Sequence, residues 1–182
     1  MQHPHHSHDH QHDHDHDHDH EGCCQPHAST VVMSDYSQHG VRFRFPSDWT
    51  LTEQSQGEET TISLQSDGTS FWALMLFDSR PDPEVVLETV VAAFEQDYED
   101  VDVTSAIDSL NGMPSHGRDF DFICYDMLNS AKVRAFQTSD RTVMVMYQGT
   151  DRELEMTRDQ LSAITSSLHC EDDEIDEFDD VD

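Results

Sequence analysis

The chain has 182 residues, a formal charge of −30 from 39 acidic and only 9 basic side chains, and a mean hydropathy of −0.71. Such a field repels nucleic-acid phosphate and anionic lipid, which counts against both as direct partners. No run of about 18 apolar residues is present, and the first thirty residues lack the cationic start and apolar core of a secretion signal, so a cytoplasmic location is expected.

In chain order, the first segment carries the sharpest chemistry. Ten of the first twenty residues are histidine, namely His3, His5, His6, His8, His10, His12, His14, His16, His18 and His20. From His8 onward they alternate with Asp9, Asp13, Asp15, Asp17 and Asp19. Neutral imidazole is the commonest protein ligand for Zn²⁺, Ni²⁺, Co²⁺ and Cu²⁺, and a row of imidazoles offers many overlapping ligand sets. Cys23 and Cys24, beside His20 and His27, add soft ligands, although adjacent cysteines lack the Cys-x-x-Cys spacing of structural zinc sites.

The segment has too little apolar surface to offset the entropy of ordering, so residues 1–34 read as a disordered arm. The interleaved carboxylates favour imidazolium, so protons compete with metal below about pH 6.5. A cloning tag and a merely solvating tail are the competing readings. Against the first stand the alternation with Asp and the continuation through Gln11 and Cys23; against the second, solubility does not require so many histidines.

Residues 35–170 read as one folded domain. Val41, Phe43 and Phe45 alternate with Arg42 and Arg44, the period of a half-buried strand, and Ile62 and Leu64 repeat it. The run from Phe71 to Phe77 is apolar on both faces and predicts a central strand covered on both sides. Asp82 is placed as an N-cap, with Pro83 at the first helical position and Glu84 complementing the helix dipole. Leu87, Val90, Val91, Phe94 and Tyr98 form that helix's buried stripe.

Val101 to Leu110 leads into Asn111-Gly112, a strong hairpin signal. Phe120, Phe122 and Cys124 predict the next strand, Val133 and Ala135 another, and Val143, Val145 and Tyr147 the last, with Met144 and Met146 on its other face. Leu154, Leu161, Ile164 and Leu168 fit a final helix starting near Asp151. The expected class is therefore α+β, an αβα sandwich with a mainly antiparallel sheet and two principal helices, flanked by disordered ends.

This order of elements resembles the PsbP/Mog-like superfamily, in particular its bacterial DcrB-like branch, over residues 39–169. The resemblance is carried by Gly40-Val41-Arg42-Phe43-Arg44-Phe45-Pro46-Ser47-Asp48-Trp49, by Leu110-Asn111-Gly112-Met113-Pro114, and by Val143-Met144-Val145-Met146-Tyr147 before a helix. It implies an αβα sandwich and a non-catalytic interaction module. The His/Asp arm and the acidic tail are not part of that family's pattern.

Inside the domain there is no Gly-x-Ser-x-Gly elbow, phosphate loop or His-Glu-x-x-His helix. His39, His116 and His169 are dispersed and read as surface or hydrogen-bonded residues, and the adjacent His169-Cys170 is a weak candidate for metal binding or nucleophilic chemistry. Met127, Met144 and Met146 read as core packing. Residues 171–182 form an acidic tail with nine carboxylates around Ile175, Phe178 and Val181, and its plain reading is a solvated charge run.

The sequence thus points to a non-enzymatic interaction domain whose arm binds divalent transition metal, zinc or nickel, for storage, delivery or sensing, without an organic cofactor. Its partners are metal ions and a protein met through the domain or the tail. The alternative is a chaperone or adaptor with the arm as accessory. An enzyme using His116 or His169 has no local support.

Overall fold

A computed structural model describes residues 31–171. Among these residues ten strands and two helices follow in the order β1 (Met33–Gln38), β2 (Val41–Pro46), β3 (Thr50–Gln56), β4 (Glu59–Gln65), β5 (Phe71–Phe77), α1 (Pro83–Asp97), β6 (Val101–Leu110), β7 (Met113–Cys124), β8 (Met127–Gln137), β9 (Thr142–Thr150), α2 (Asp151–Ser167) and β10 (His169–Cys170). β1 begins at Met33, inside the stretch that the sequence assigns to the arm. Seven strands form one antiparallel sheet in the order β3-β4-β5-β9-β8-β7-β6, and β1-β2-β10 form a second, smaller one.

The apolar run of β5 sits where its composition requires, between β4 and β9 in the interior of the large sheet. Its Trp72, Leu74 and Leu76 join Val143 and Val145 of β9 beneath α2, which contributes Leu161 and Ile164. The small sheet packs into the same cluster through Val41, Phe43 and Phe45. On the other face, Met144, Phe120, Phe122, Val133 and Ala135 pack against Val86, Leu87 and Phe94 of α1. The two helices therefore cover opposite faces, and the α+β sandwich is the architecture observed.

Local signals explain the element ends. The Asp82 carboxylate accepts from the Glu84 backbone N–H at 2.8 Å, with Pro83 opening α1. Asn111 and Gly112 both have positive φ, 52° and 85°, the two left-handed residues a type I′ hairpin needs. α1 is clamped by rings, with Phe94 stacked on Phe120 at 4.2 Å between centroids and edge-on to Phe122 at 5.2 Å.

Met127 departs from its core assignment. It opens β8 at the tip of the β7–β8 hairpin and is 47% exposed, while Met144 is buried and Met146 packs partly against α1's side. The turn beside it, Tyr125-Asp126, holds both residues at positive φ without a glycine. Ile123, Tyr125 and Leu128 are also exposed there, so the tip presents apolar surface to solvent.

Candidate functional site

The alternation along β8 divides its residues between two environments. Ala131, Val133 and Ala135 are buried under α1, so Ser130, Lys132 and Arg134 face the side of α2. On β7 and β6 the same face carries Ser115, Gly117, Asp119 and, paired across from Ser115, Asp108. α2 leans over this polar surface without closing on it. Between them lies an open groove of about 880 Å³, walled by Lys132, Arg134 and Tyr147 on the sheet and by Leu154, Arg158 and Leu161 on the helix.

Arg134 is the most constrained group in the groove. Its Nε donates to Asp108 at 2.6 Å and its Nη1 to Asp119 at 2.6 Å and to the Val133 carbonyl at 2.9 Å. Gly117 makes room for it, because a Cβ at that position would lie 2.7 Å from the Arg134 side chain. Burial disfavours the cation, yet the hydrogen bonds it donates to Asp119 and Asp108 outweigh it and hold the guanidinium pKa above its ordinary value. Lys132 approaches Asp119 only at 3.4 Å. Arg158 is exposed and has no ion pair among the described residues.

Ser115, which also lines the groove, is 1% exposed, and its hydroxyl is the one buried side-chain polar atom among the described residues without a hydrogen-bond partner. Leaving a desolvated hydroxyl unpaired costs roughly 1–3 kcal/mol. The neighbouring wall is well ordered by comparison. Trp72 Nε1 donates to Thr165 Oγ1 at 3.0 Å, and Asn111 Nδ2 donates to the carbonyls of Thr165 and Leu168, fixing the C-terminal half of α2 over the sheet.

The arm's candidate ligands, His3 through His20 with Cys23, Cys24 and His27, lie outside the described residues. The histidines of the domain stay apart, as their spacing suggests. His39 meets Glu53 at 2.6 Å, and Glu53 also accepts from Tyr36 at 2.8 Å. The bonds from His39 and Tyr36 lower the Glu53 pKa, while burial followed by that same bond raises the Tyr36 phenol's. His116 meets Glu84 at 2.6 Å, and Glu84 also holds Arg118. His169 and Cys170 pair with Arg42 and Val41 and border a smaller hollow of about 220 Å³ with Leu110, Met113 and Phe136. Among the described residues, no three His, Cys, Asp or Glu side chains converge to hold a metal.

Sequence reasoning did not single out the groove. Its signal was present in the polar face of β8, where Lys132, the only lysine, and Arg134 stand two apart in a chain with nine cations. What no spacing shows is that Arg158, on the final helix, lines the same space.

No family model and no curated protein matches the sequence. Solved structures do share the fold. The chain is similar to the cyanobacterial PsbP (CyanoP) of Synechocystis sp. PCC 6803, with a TM-score of 0.58 and 9% identity over 82% of this chain and 98% of that one. It is also similar to a Bacteroides thetaiotaomicron protein, with a TM-score of 0.50 and 7% identity over 74% of this chain and 46% of that one. At these identities the likeness establishes a PsbP-like fold.

Proposed function

We propose that this protein is a non-enzymatic binding protein of PsbP-like fold, of the DcrB-like branch, whose N-terminal arm binds divalent transition metal. The observation that carries the reading is the alternation of His8 to His20 with aspartate, which supplies more imidazoles than any one site needs. Zinc or nickel fits this ligand set, and many overlapping sets favour capacity over geometric selectivity. The domain then serves as the scaffold that presents the arm to a partner.

Calorimetric titration of the full chain at neutral pH tests this. More than one Zn²⁺ or Ni²⁺ should bind, and binding should largely vanish near pH 5, where imidazoles with a pKa of about 6.5 are protonated. Replacing His8, His10, His12, His14, His16, His18 and His20 by Asn should remove most of the stoichiometry. Unchanged stoichiometry and affinity in that variant would overturn the reading.

A second reading, a chaperone or adaptor with the arm as accessory, is favoured by the exposed apolar tip of the β7–β8 hairpin. Ile123, Tyr125 and Leu128 are more than half exposed there. Contiguous apolar surface of this kind suits a protein partner. Loss of client binding in a Tyr125→Ser, Leu128→Ser variant, with metal binding intact, would separate this reading from the first.

A further inference from the structure

The groove between α2 and β6–β8 holds polar groups with unused hydrogen-bonding capacity beside residues of the core. Arg134 is held flat over Gly117 by two carboxylates, yet Nη2 has no hydrogen-bond partner among the described residues. Among the described residues the Arg158 side chain has neither an ion pair nor a hydrogen bond, and the Ser115 hydroxyl is buried and unpartnered. Three of the nine basic side chains of a strongly acidic protein thus line one space.

The two walls run alongside each other. Ser130 on β8 donates to Asp151 at the start of α2, and Asn111 meets Thr165 near its end. Arg134 lies about 13 Å along the strand from Ser130, and Arg158 about 10 Å along the helix from Asp151. The two guanidinium-bearing positions are therefore nearly level, on opposite walls. Leu110 and Leu161 border the groove beyond them, while Asp151 and Glu155 stand at the near end.

We propose that the groove binds a monocarboxylate with an apolar body, an alkyl or aryl acid. The carboxylate sits between Arg134 and Arg158, with Lys132 beside it and the Ser115 hydroxyl as a further donor. The apolar body lies along Leu110 and Leu161. A volume of about 880 Å³ falls within the ordinary range for small-molecule sites. Asp151, Glu155 and the charge of −30 repel a second negative charge, so the site selects against dicarboxylates and phosphates. Asp108 and Asp119 occupy Nε and Nη1 of Arg134, so the ligand carboxylate takes Nη2.

The test uses the full chain with a metal chelator present, so that its outcome is independent of the arm. Octanoate, octan-1-ol and octanedioate are titrated while backbone amide shifts are followed. Octanoate should bind with shifts at Ser115, Lys132, Arg134 and Arg158, and the alcohol and diacid should bind at least tenfold more weakly, about one charge-assisted hydrogen bond. A Lys132→Gln, Arg158→Gln variant should bind octanoate roughly tenfold more weakly with an unchanged unfolding midpoint. Gly117→Val, which displaces Arg134, should do the same to affinity. Equal binding of octan-1-ol or octanedioate, shifts confined elsewhere, or no octanoate response at millimolar concentration would overturn the proposal.

Discussion

The two faces of the large sheet are finished differently, although the same strands supply both. Under α1, β7 and β8 present Phe120, Phe122, Ala131, Val133 and Ala135, and the layer closes as a dry core around Leu87 and Phe94. One residue along, the same strands present Ser115, Asp119, Ser130, Lys132 and Arg134 to the side of α2, and a groove remains. α2 is anchored over β5 and β9 by Trp72, Val143, Leu161 and Ile164, of which Leu161 also borders the groove. Strand alternation therefore places a closed core and an open polar groove on opposite faces of single strands, without any extra loop or insertion.

The sharpest way to break this comparison is to truncate one residue on each side. Phe94→Ala removes a ring that touches Phe120, Phe122 and Tyr98, and should cost about 3–5 kcal/mol in urea unfolding. Leu154→Ala, on a half-buried groove residue, should cost about 1 kcal/mol, because water already reaches the site. Equal losses would mean that the groove side is as much a core as the other.

A smaller effect of opposite sign is expected at Ser115. Its hydroxyl is desolvated without compensation, so Ser115→Ala should stabilise the protein by about 1 kcal/mol. Few core substitutions stabilise, and a destabilising result would show that the hydroxyl has a structural partner in solution. Together with weaker octanoate binding, the gain would identify a residue kept for recognition at the expense of stability.

Whatever rests on local pattern was legible in the sequence. The Asp82-Pro83-Glu84 cap, the Asn111-Gly112 turn and the apolar run of β5 each declare themselves within a few residues, and each is found where it was placed. β1 and β3 carry no strand pattern in the sequence. Their sequences, MSDYSQ and TLTEQSQ, contain few apolar residues, and each is held by its backbone ladder to a neighbour. In β1, Tyr36 stacks on Phe43 at 4.8 Å, a contact between strands that no single-strand period reveals. The Tyr125-Asp126 turn has no signal in the sequence, since neither residue is a glycine or asparagine, and the pattern therefore puts Met127 in the core instead of at an exposed tip. The groove needed the packing of α2 before Lys132, Arg134 and Arg158 became neighbours.

The last prediction concerns how α2 is fastened at its N-terminal end, where polar contacts replace the apolar ones that hold α1. Thr150 caps the helix, and the Glu153 carboxylate accepts from the Thr69 hydroxyl at 2.6 Å, the Ser70 backbone N–H at 2.8 Å and the Thr69 backbone N–H, clasping the β4–β5 turn. The hydrogen bond from Thr69 is the main cause of a lowered Glu153 pKa, with burial opposing it. A carboxyl whose folded pKa lies below its unfolded value binds fewer protons in the native state, so its contribution is complete above the unfolded pKa. That contribution is lost as pH falls from about 4.5 through the lowered folded value. Glu153→Gln should therefore be less stable than the parent chain at pH 7, and the gap should narrow as pH falls below that range, which paired urea titrations at pH 7 and pH 3 would resolve. A gap that stayed constant between the two would mean that shape, and not charge, fastens this end of α2, and the contrast with the ring-clamped α1 would weaken.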